Sequence, residues 1–216
     1  MRLKVYLRGL IFPNRCPFCD RLIKENLTVC GSCKPKLPGF SIETYAIGAV
    51  LCSSPFKYDG MFAAAIKRFK FKKRRNYTES LGFYISSSVL KIFTAGQLES
   101  IDYISCVPMY GKGGTKTANH AELLGKEVAK QLGIEYAETL VKIKPNKKQH
   151  TLKQSERFKN VKGVFKCSDR ELVKGKNILI VDDIITTGAT LGECAGALKK
   201  AGSGKIYCAV FASDSI

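Results

Sequence analysis

A chain of 216 residues with 45% hydrophobic content can bury one sizeable core and a small appendage, and it holds no apolar run of membrane-spanning length. Its 36 Lys and Arg against 18 Asp and Glu leave a net charge of +18, more than solubility requires, which implies an anionic partner and excludes membrane insertion as the organising theme. Residues 1–13 mix charge into their apolar positions and lack a small-residue cleavage site. They are expected to form a helix leading into the next element of a cytoplasmic protein, not a signal peptide.

That next element is Cys16-Pro-Phe-Cys19, ten intervening residues, then Cys30-Gly-Ser-Cys33. Two Cys-x-x-Cys units can supply four thiolates to one Zn²⁺ in a closed, structural site. Arg15, Arg21, Lys34 and Lys36 flank the cysteines and would offset the negative charge of a four-thiolate centre. A redox pair needs only one such unit, and disulfides need an oxidising compartment. The other five cysteines, Cys52, Cys106, Cys167, Cys194 and Cys208, lie mostly in apolar stretches and read as small buried thiols.

Pro35, Pro38 and Gly39 mark the exit of this zinc-ribbon module, taken as residues 1–42. Residues 43–100 read as linking strands and basic helices packed on the core. Tyr45–Leu51 and Phe56–Tyr58 are expected strands, Met61–Lys73 a helix with Ile66 and Phe69 inward, and Leu81–Phe93 a second helix. From the second half of the first helix onward, Lys67, Arg68, Lys70, Phe71, Lys72, Lys73, Arg74 and Arg75 interleave charge with aromatic surface, a composition that could track a phosphate backbone and stack unpaired bases. A solvated helix face is the alternative, because no base-reading motif accompanies it.

Residues 101–216 alternate strand and helix: strand 101–108, helix 119–132 closed by Gly133, strands 140–143, 164–167 and 178–181, helix 190–200 closed by Gly202, and strand 205–211. Such alternation predicts an α/β fold with a mostly parallel sheet flanked by helices. The polar segment 144–160, which contains Gln149 and Arg157, reads as a functional loop or lid.

The most informative run is Ile178-Leu-Ile-Val-Asp182-Asp183-Ile-Ile-Thr186-Thr187-Gly188-Ala189-Thr190. A buried strand ends in two carboxylates, and a small hydroxyl-rich turn opens a helix whose N–H groups and dipole suit a phosphate. A ligand matching both halves carries a phosphate a few ångströms from a diol or a bound Mg²⁺, as a phosphorylated ribose does. This run resembles the binding motif of the type I phosphoribosyltransferases. The resemblance implies that Asp182 and Asp183 meet the ribose hydroxyls of phosphoribosyl pyrophosphate, directly or through Mg²⁺. It implies the 5′-phosphate for Thr186, Thr187, Gly188, Ala189 and Thr190.

The whole chain resembles the ComF family, which joins an amino-terminal zinc ribbon to a phosphoribosyltransferase-like domain. The likeness rests on Phe12-Pro13, the four cysteines, Lys70-Phe71, Val107-Pro108, Asn119-His120-Ala121-Glu122-Leu123-Leu124, Gln149, Leu152, Arg157, Asn160, Gly163, Phe165 and the Asp182-Asp183 motif. It implies substrate contacts at Val107, Pro108, Gln149 and Arg157. It also implies an association with DNA uptake in naturally competent bacteria, with single-stranded DNA and DNA-uptake or recombination proteins as partners. One departure stands out: Lys116-Thr117-Ala118-Asn119 replaces the family's Arg-Gly-Phe-Asn, so Lys112 or Lys116 would have to serve the diphosphate as a point charge where an arginine fork is usual. No Gly-x-x-x-x-Gly-Lys-Ser/Thr is present, which excludes a Walker-loop ATPase. Two readings follow: a phosphoribosyltransferase whose acceptor is not identified, or a catalytically inactive single-stranded-DNA-binding or scaffold protein that keeps the phosphoribose pocket.

Overall fold

The computed structural model describes residues 13–24, 26–71, 75–110, 119–146 and 154–214. Two long strands form its centre, β7 (Ile178–Ile185) and β8 (Ile206–Ser213), paired in parallel from Ile178 opposite Ile206 to Ile185 opposite Ser213. Every residue of β8 is buried, which is how a strand covered on both faces reads. β4 (Tyr103–Cys106) runs parallel to the outer edge of β7, and β2 (Leu51–Ser54) runs parallel to β8 on the other side. The short β3 (Phe56–Lys57) continues along β8 beyond β2, and β1 (Ile42–Thr44) closes that edge antiparallel to β2. The sheet order is therefore β1-β2-β8-β7-β4, with Tyr136 bridging to the free edge of β4 at Ile104.

Pleating sorts the core into two halves. Leu179, Val181, Tyr207, Ala209 and Phe211 face one side, against α1 (Gly60–Phe71), α2 (Thr78–Ile92), α4 (His120–Leu132) and the cysteine knuckle. Ile178, Ile180, Ile206, Cys208 and Val210 face the other, against α7 (Ala189–Lys200). The helices are held by stripes at helical spacing: Leu81, Ile85 and Val89 on α2, and Leu124 and Val128 on α4, all fully buried and each stabilising by roughly 1.5–3 kcal/mol. Gly125 lets α4 lie close to the sheet, since a Cβ there would come within 3.3 Å of Cys106 and 3.1 Å of Tyr136.

The expected mostly parallel α/β architecture is present, with several local differences. The expected strand Tyr45–Leu51 is largely loop: Gly48 takes φ 82°, and Ala49 N–H turns back to the Ala46 carbonyl, so strands form on either side of it. The expected strands at 140–143 and 164–167 do form, as β5 (Leu140–Lys142) and β6 (Phe165–Cys167). They pair antiparallel with each other as a separate two-stranded sheet outside the main one. Part of the polar segment is helical, as α5 (Gln154–Val161), which buries Val161 beside α7. Two short helices, α3 (Ala95–Glu99), with a Thr94/Gln97 capping box, and α6 (Arg170–Val173), capped by Asp169, join elements that the apolar periodicity leaves blank. Of the cysteines outside the knuckle, four are buried and Cys167 is partly exposed.

Residues 43–100 contribute β1, β2, β3, α1, α2 and α3, so the segment after the knuckle builds one edge of the main sheet as well as packing on it. Among the described residues no helix is long and apolar enough to cross a membrane.

Candidate functional site

The strand that carries the acidic pair is longer than its apolar run. β7 continues through Asp182 and Asp183 to Ile185, because Ile184 and Ile185 keep pairing with Ala212 and Ser213 of β8. Adjacent residues of a strand point to opposite faces, so the two carboxylates separate. Asp182 lines a small open recess with Ile184, Ile185, Thr186, Gly188, Ala189, Thr190 and Leu191. Asp183 is buried on the side of α1, where Lys70 Nζ lies 2.7 Å from its Oδ2.

Asp182 Oδ1 accepts the Asp183 backbone N–H at 2.8 Å. Burial, then the neighbouring charge of Asp183, pushes the Asp182 carboxyl up to about 8, with Lys70 opposing the rise. Lys70 is held above the usual lysine range: burial would lower it, but the Asp183 carboxylate beside it outweighs the loss of water.

After β7 the chain turns sharply. Gly188 takes φ 71°, and a Cβ there would lie 3.0 Å from the Tyr45 carbonyl oxygen, so both the turn and the neighbouring loop require glycine. The turn delivers the N-terminus of α7 to the same recess, with Thr187 Oγ1 accepting the Ala189 N–H at 3.4 Å. Arg157 of α5 reaches across and donates from Nη1 to Thr186 Oγ1 at 2.9 Å, while its Nε is buried with no hydrogen-bond partner among the described residues. A hydroxyl turn, a helix N-terminus and a guanidinium thus converge where Asp182 lies, an arrangement suited to a phosphate and a hydroxyl-bearing group together.

Val107 and Pro108 follow β4, with Val107 N–H bonded to the Val181 carbonyl at 3.2 Å. Asn119 fixes this strand end from α4: its Oδ1 caps the helix by accepting the Ala121 N–H, and its Nδ2 donates to the Val107 carbonyl at 3.1 Å. His120 begins α4 with its ring edge-on to Phe69, centroids 5.1 Å apart. Lys112, Lys116 and Gln149 lie outside the described residues, as do Lys72, Lys73 and Arg74 and the side chain of Arg75.

The basic helix serves two purposes. Lys67 is exposed and Phe71 is 77% exposed, as a nucleic-acid surface requires. Arg68 and Lys70, expected on that surface, turn inward. Arg68 Nη2 donates to the Pro17 and Phe18 carbonyls, each at 2.7 Å, and Lys70 pairs with Asp183. Both are corrections to the sequence-based assignment: buried acceptors near the helix outcompete water for these two cations. The pairing of Lys70 with Asp183 was missed, and the clue lay in charge balance, because a buried carboxylate needs a counter-ion.

The four Sγ atoms of Cys16, Cys19, Cys30 and Cys33 lie within 4.8 Å of one another, and none is in a disulfide. Tetrahedral Zn–S bonds of about 2.3 Å separate sulfurs by about 3.8 Å, and Cys19 and Cys30 are already 3.6 Å apart, so the residues fit a structural zinc ion. Arg15 and Arg21 are held on the knuckle by the Asp20 carbonyl and Ser32 Oγ. Phe18 fixes the knuckle to the body through edge contacts with Phe56 and Phe62, and Tyr77 donates to Asp20 Oδ1.

Two domain families account for these parts: residues 118–215 match the phosphoribosyl transferase domain model and residues 7–60 the double zinc ribbon model. Over most of its length the chain is 28% identical to "Competence protein F" of Haemophilus influenzae, covering 87% of this chain and 85% of that one. The chain is similar in sequence to competence protein F. It is also 26% identical to "DNA utilization protein YhgH" of Salmonella typhimurium, over 89% of this chain and 88% of that protein. Among solved structures, an adenine phosphoribosyltransferase aligns with 82% of this chain and 97% of its own, at 13% identity and a TM-score of 0.37. The resemblance to the ComF family and the expected combination of fold and zinc ribbon are both borne out.

Proposed function

We propose that the recess at the end of β7 binds phosphoribosyl pyrophosphate with Mg²⁺, and that the protein serves DNA uptake or nucleotide metabolism through it. One observation carries the reading: Asp182 lines the same recess as Thr186, Gly188, Ala189 and Thr190, where α7 begins. In this reading the 5′-phosphate takes the turn and Asp182 and Asp183 orient the ribose hydroxyls. Arg157 lies beside the phosphate turn at Thr186, where it meets ligand charge. The oxygen donors at Asp182 are of the hard type that Mg²⁺ takes, and the ion, when bound, would neutralise the diphosphate leaving group. The domain match over residues 118–215 supports this pocket, and the names of the competence and DNA-utilization homologues support the cellular role. The acceptor is not identified by any residue described.

Calorimetric titration of zinc-replete protein with phosphoribosyl pyrophosphate, with and without Mg²⁺ at moderate salt, tests the reading. Saturable, Mg²⁺-dependent binding that disappears in Asp182→Asn/Asp183→Asn is expected. Failure of folded wild-type protein to bind would overturn it.

A second reading is favoured by the net charge of +18 and by Phe71 standing 77% exposed beside Lys67: a single-stranded-DNA-binding or scaffold protein that retains the pocket without turnover. DNA affinity that falls steeply with salt, is indifferent to sequence and drops in Lys67→Ala/Phe71→Ala would support it. Unchanged affinity in that variant would remove it.

A further inference from the structure

We propose that Lys70 is a positioning residue of the phosphoribose pocket, held against Asp183 by a helix that the cysteine knuckle grips two residues earlier at Arg68. The inference rests on the pocket reading above and adds to it a residue and a long-range connection.

The geometry begins with the spacing on α1. Residues two apart on an α-helix project about 200° apart, so Arg68 and Lys70 leave the helix on opposite sides. Arg68 Nη2 donates to the carbonyls of Pro17 and Phe18, the two residues between Cys16 and Cys19. Lys70 Nζ, on the other side, lies 2.7 Å from Asp183 Oδ2. Between them Phe69 is fully buried and its ring meets His120 at the start of α4. The helix is therefore clamped between knuckle and pocket, and it cannot slide without unpacking Phe69 or breaking one of the two charged contacts.

The chemistry follows from charge. Asp182 lines the anion-binding recess, and Asp183, the next residue of β7, is buried on the α1 side beside it. Left uncompensated, the Asp183 carboxylate one residue from the recess would repel a sugar phosphate and attract a bare divalent cation. Lys70 cancels the charge of Asp183, so the mouth accepts an anion and a free cation finds a weaker site. Lys70 thus acts through Asp183 on what the pocket admits. Because Arg68 fixes the helix to the zinc-binding loop, the state of that loop is transmitted to the pocket through a single rigid element.

The test uses two probes on zinc-replete full-length protein: ribose 5-phosphate without metal, followed by calorimetry, and Mn²⁺ without sugar phosphate, followed by its electron paramagnetic resonance signal. Mn²⁺ prefers oxygen ligands and leaves a four-thiolate zinc site intact. In Lys70→Gln, ribose 5-phosphate affinity is expected to fall about tenfold, because the uncompensated Asp183 charge then opposes the phosphate, while Mn²⁺ affinity rises. Lys70→Arg restores both. Arg68→Ala moves both in the same directions as Lys70→Gln with Lys70 still present, and it decides the matter if Lys70→Gln fails to fold. Opposite signs are the mark of the proposal, since mere structural damage weakens both ligands. Affinities that fall together, or that do not change, in folded Lys70→Gln overturn it. Wild-type protein that binds no ribose 5-phosphate overturns the pocket reading instead, and the Mn²⁺ result alone then decides the role of Lys70.

Discussion

The carbonyl oxygen of Tyr45 lies 3.0 Å from the point where a Cβ on Gly188 would sit, so the phosphate turn and the loop before β2 are fitted to each other. Gly188→Ala is expected to cost about 2 kcal/mol or more, from the left-handed backbone and the forced shift of Tyr45. It should also abolish sugar-phosphate binding. Urea unfolding and titration of the same sample check both, and a variant of unchanged stability would refute the close fit.

Asn119 has two tasks, capping α4 and holding the Val107 carbonyl. Asn119→Ala should lose about 1 kcal/mol, and Asn119→Ser, which caps but does not replace the amide donor, should recover most of that loss. Thermal unfolding of the two variants separates the cap from the strand-end contact. An alanine variant as stable as wild type would show that the cap contributes nothing.

The raised Asp182 carboxyl makes stability depend on pH in a definite direction. Its folded value is about 8, against about 3.9 in an unfolded chain, so the folded protein holds this proton longer. The stability it contributes is complete below the unfolded value and is lost as pH rises towards the folded one. Wild-type protein should therefore lose stability relative to Asp182→Asn between about pH 4 and about pH 8. Denaturant melts of both proteins across that window measure the difference, and parallel profiles would contradict the assignment.

Cys30→Ser should lose bound zinc and unfold the knuckle first, because coordination energy in so small a module is folding energy. Metal content by atomic absorption and the near-ultraviolet signal of the Phe18, Phe56 and Tyr84 cluster report the two effects. Stoichiometric zinc in a fully folded Cys30→Ser protein would argue against four-cysteine coordination.

Local chemistry in the sequence was the easiest part to read. Four cysteines in two close pairs specify their own geometry, and Gly188 announces a turn that no other residue makes cheaply. The central strands were legible because covered parallel strands are continuously apolar. Reading β7 as ending at Val181 failed for a physical reason: charged residues look like strand ends, yet Ile184 and Ile185 keep their ladder with Ala212 and Ser213. Lys70 was legible only as one cation in a basic run, because its partner lies far away in sequence and only packing brings them together. The antiparallel pairing of β5 with β6 was hidden similarly, since apolar periodicity marks a strand and not its neighbour.

The seating of β8 between β2 and β7 has a consequence for synthesis. Leu51–Ser53 hydrogen-bond beside Tyr207–Ala209, so a strand made early must wait for one made more than a hundred and fifty residues later. On the ribosome, β1 and β2 form a ribbon with an open edge, and α1 and α2 lack Tyr207, Ala209 and Phe211 to cover until the final strand emerges. Chains halted before residue 206 would expose that edge and the apolar faces of both helices, which makes interrupted translation products prime substrates for chaperones and proteases.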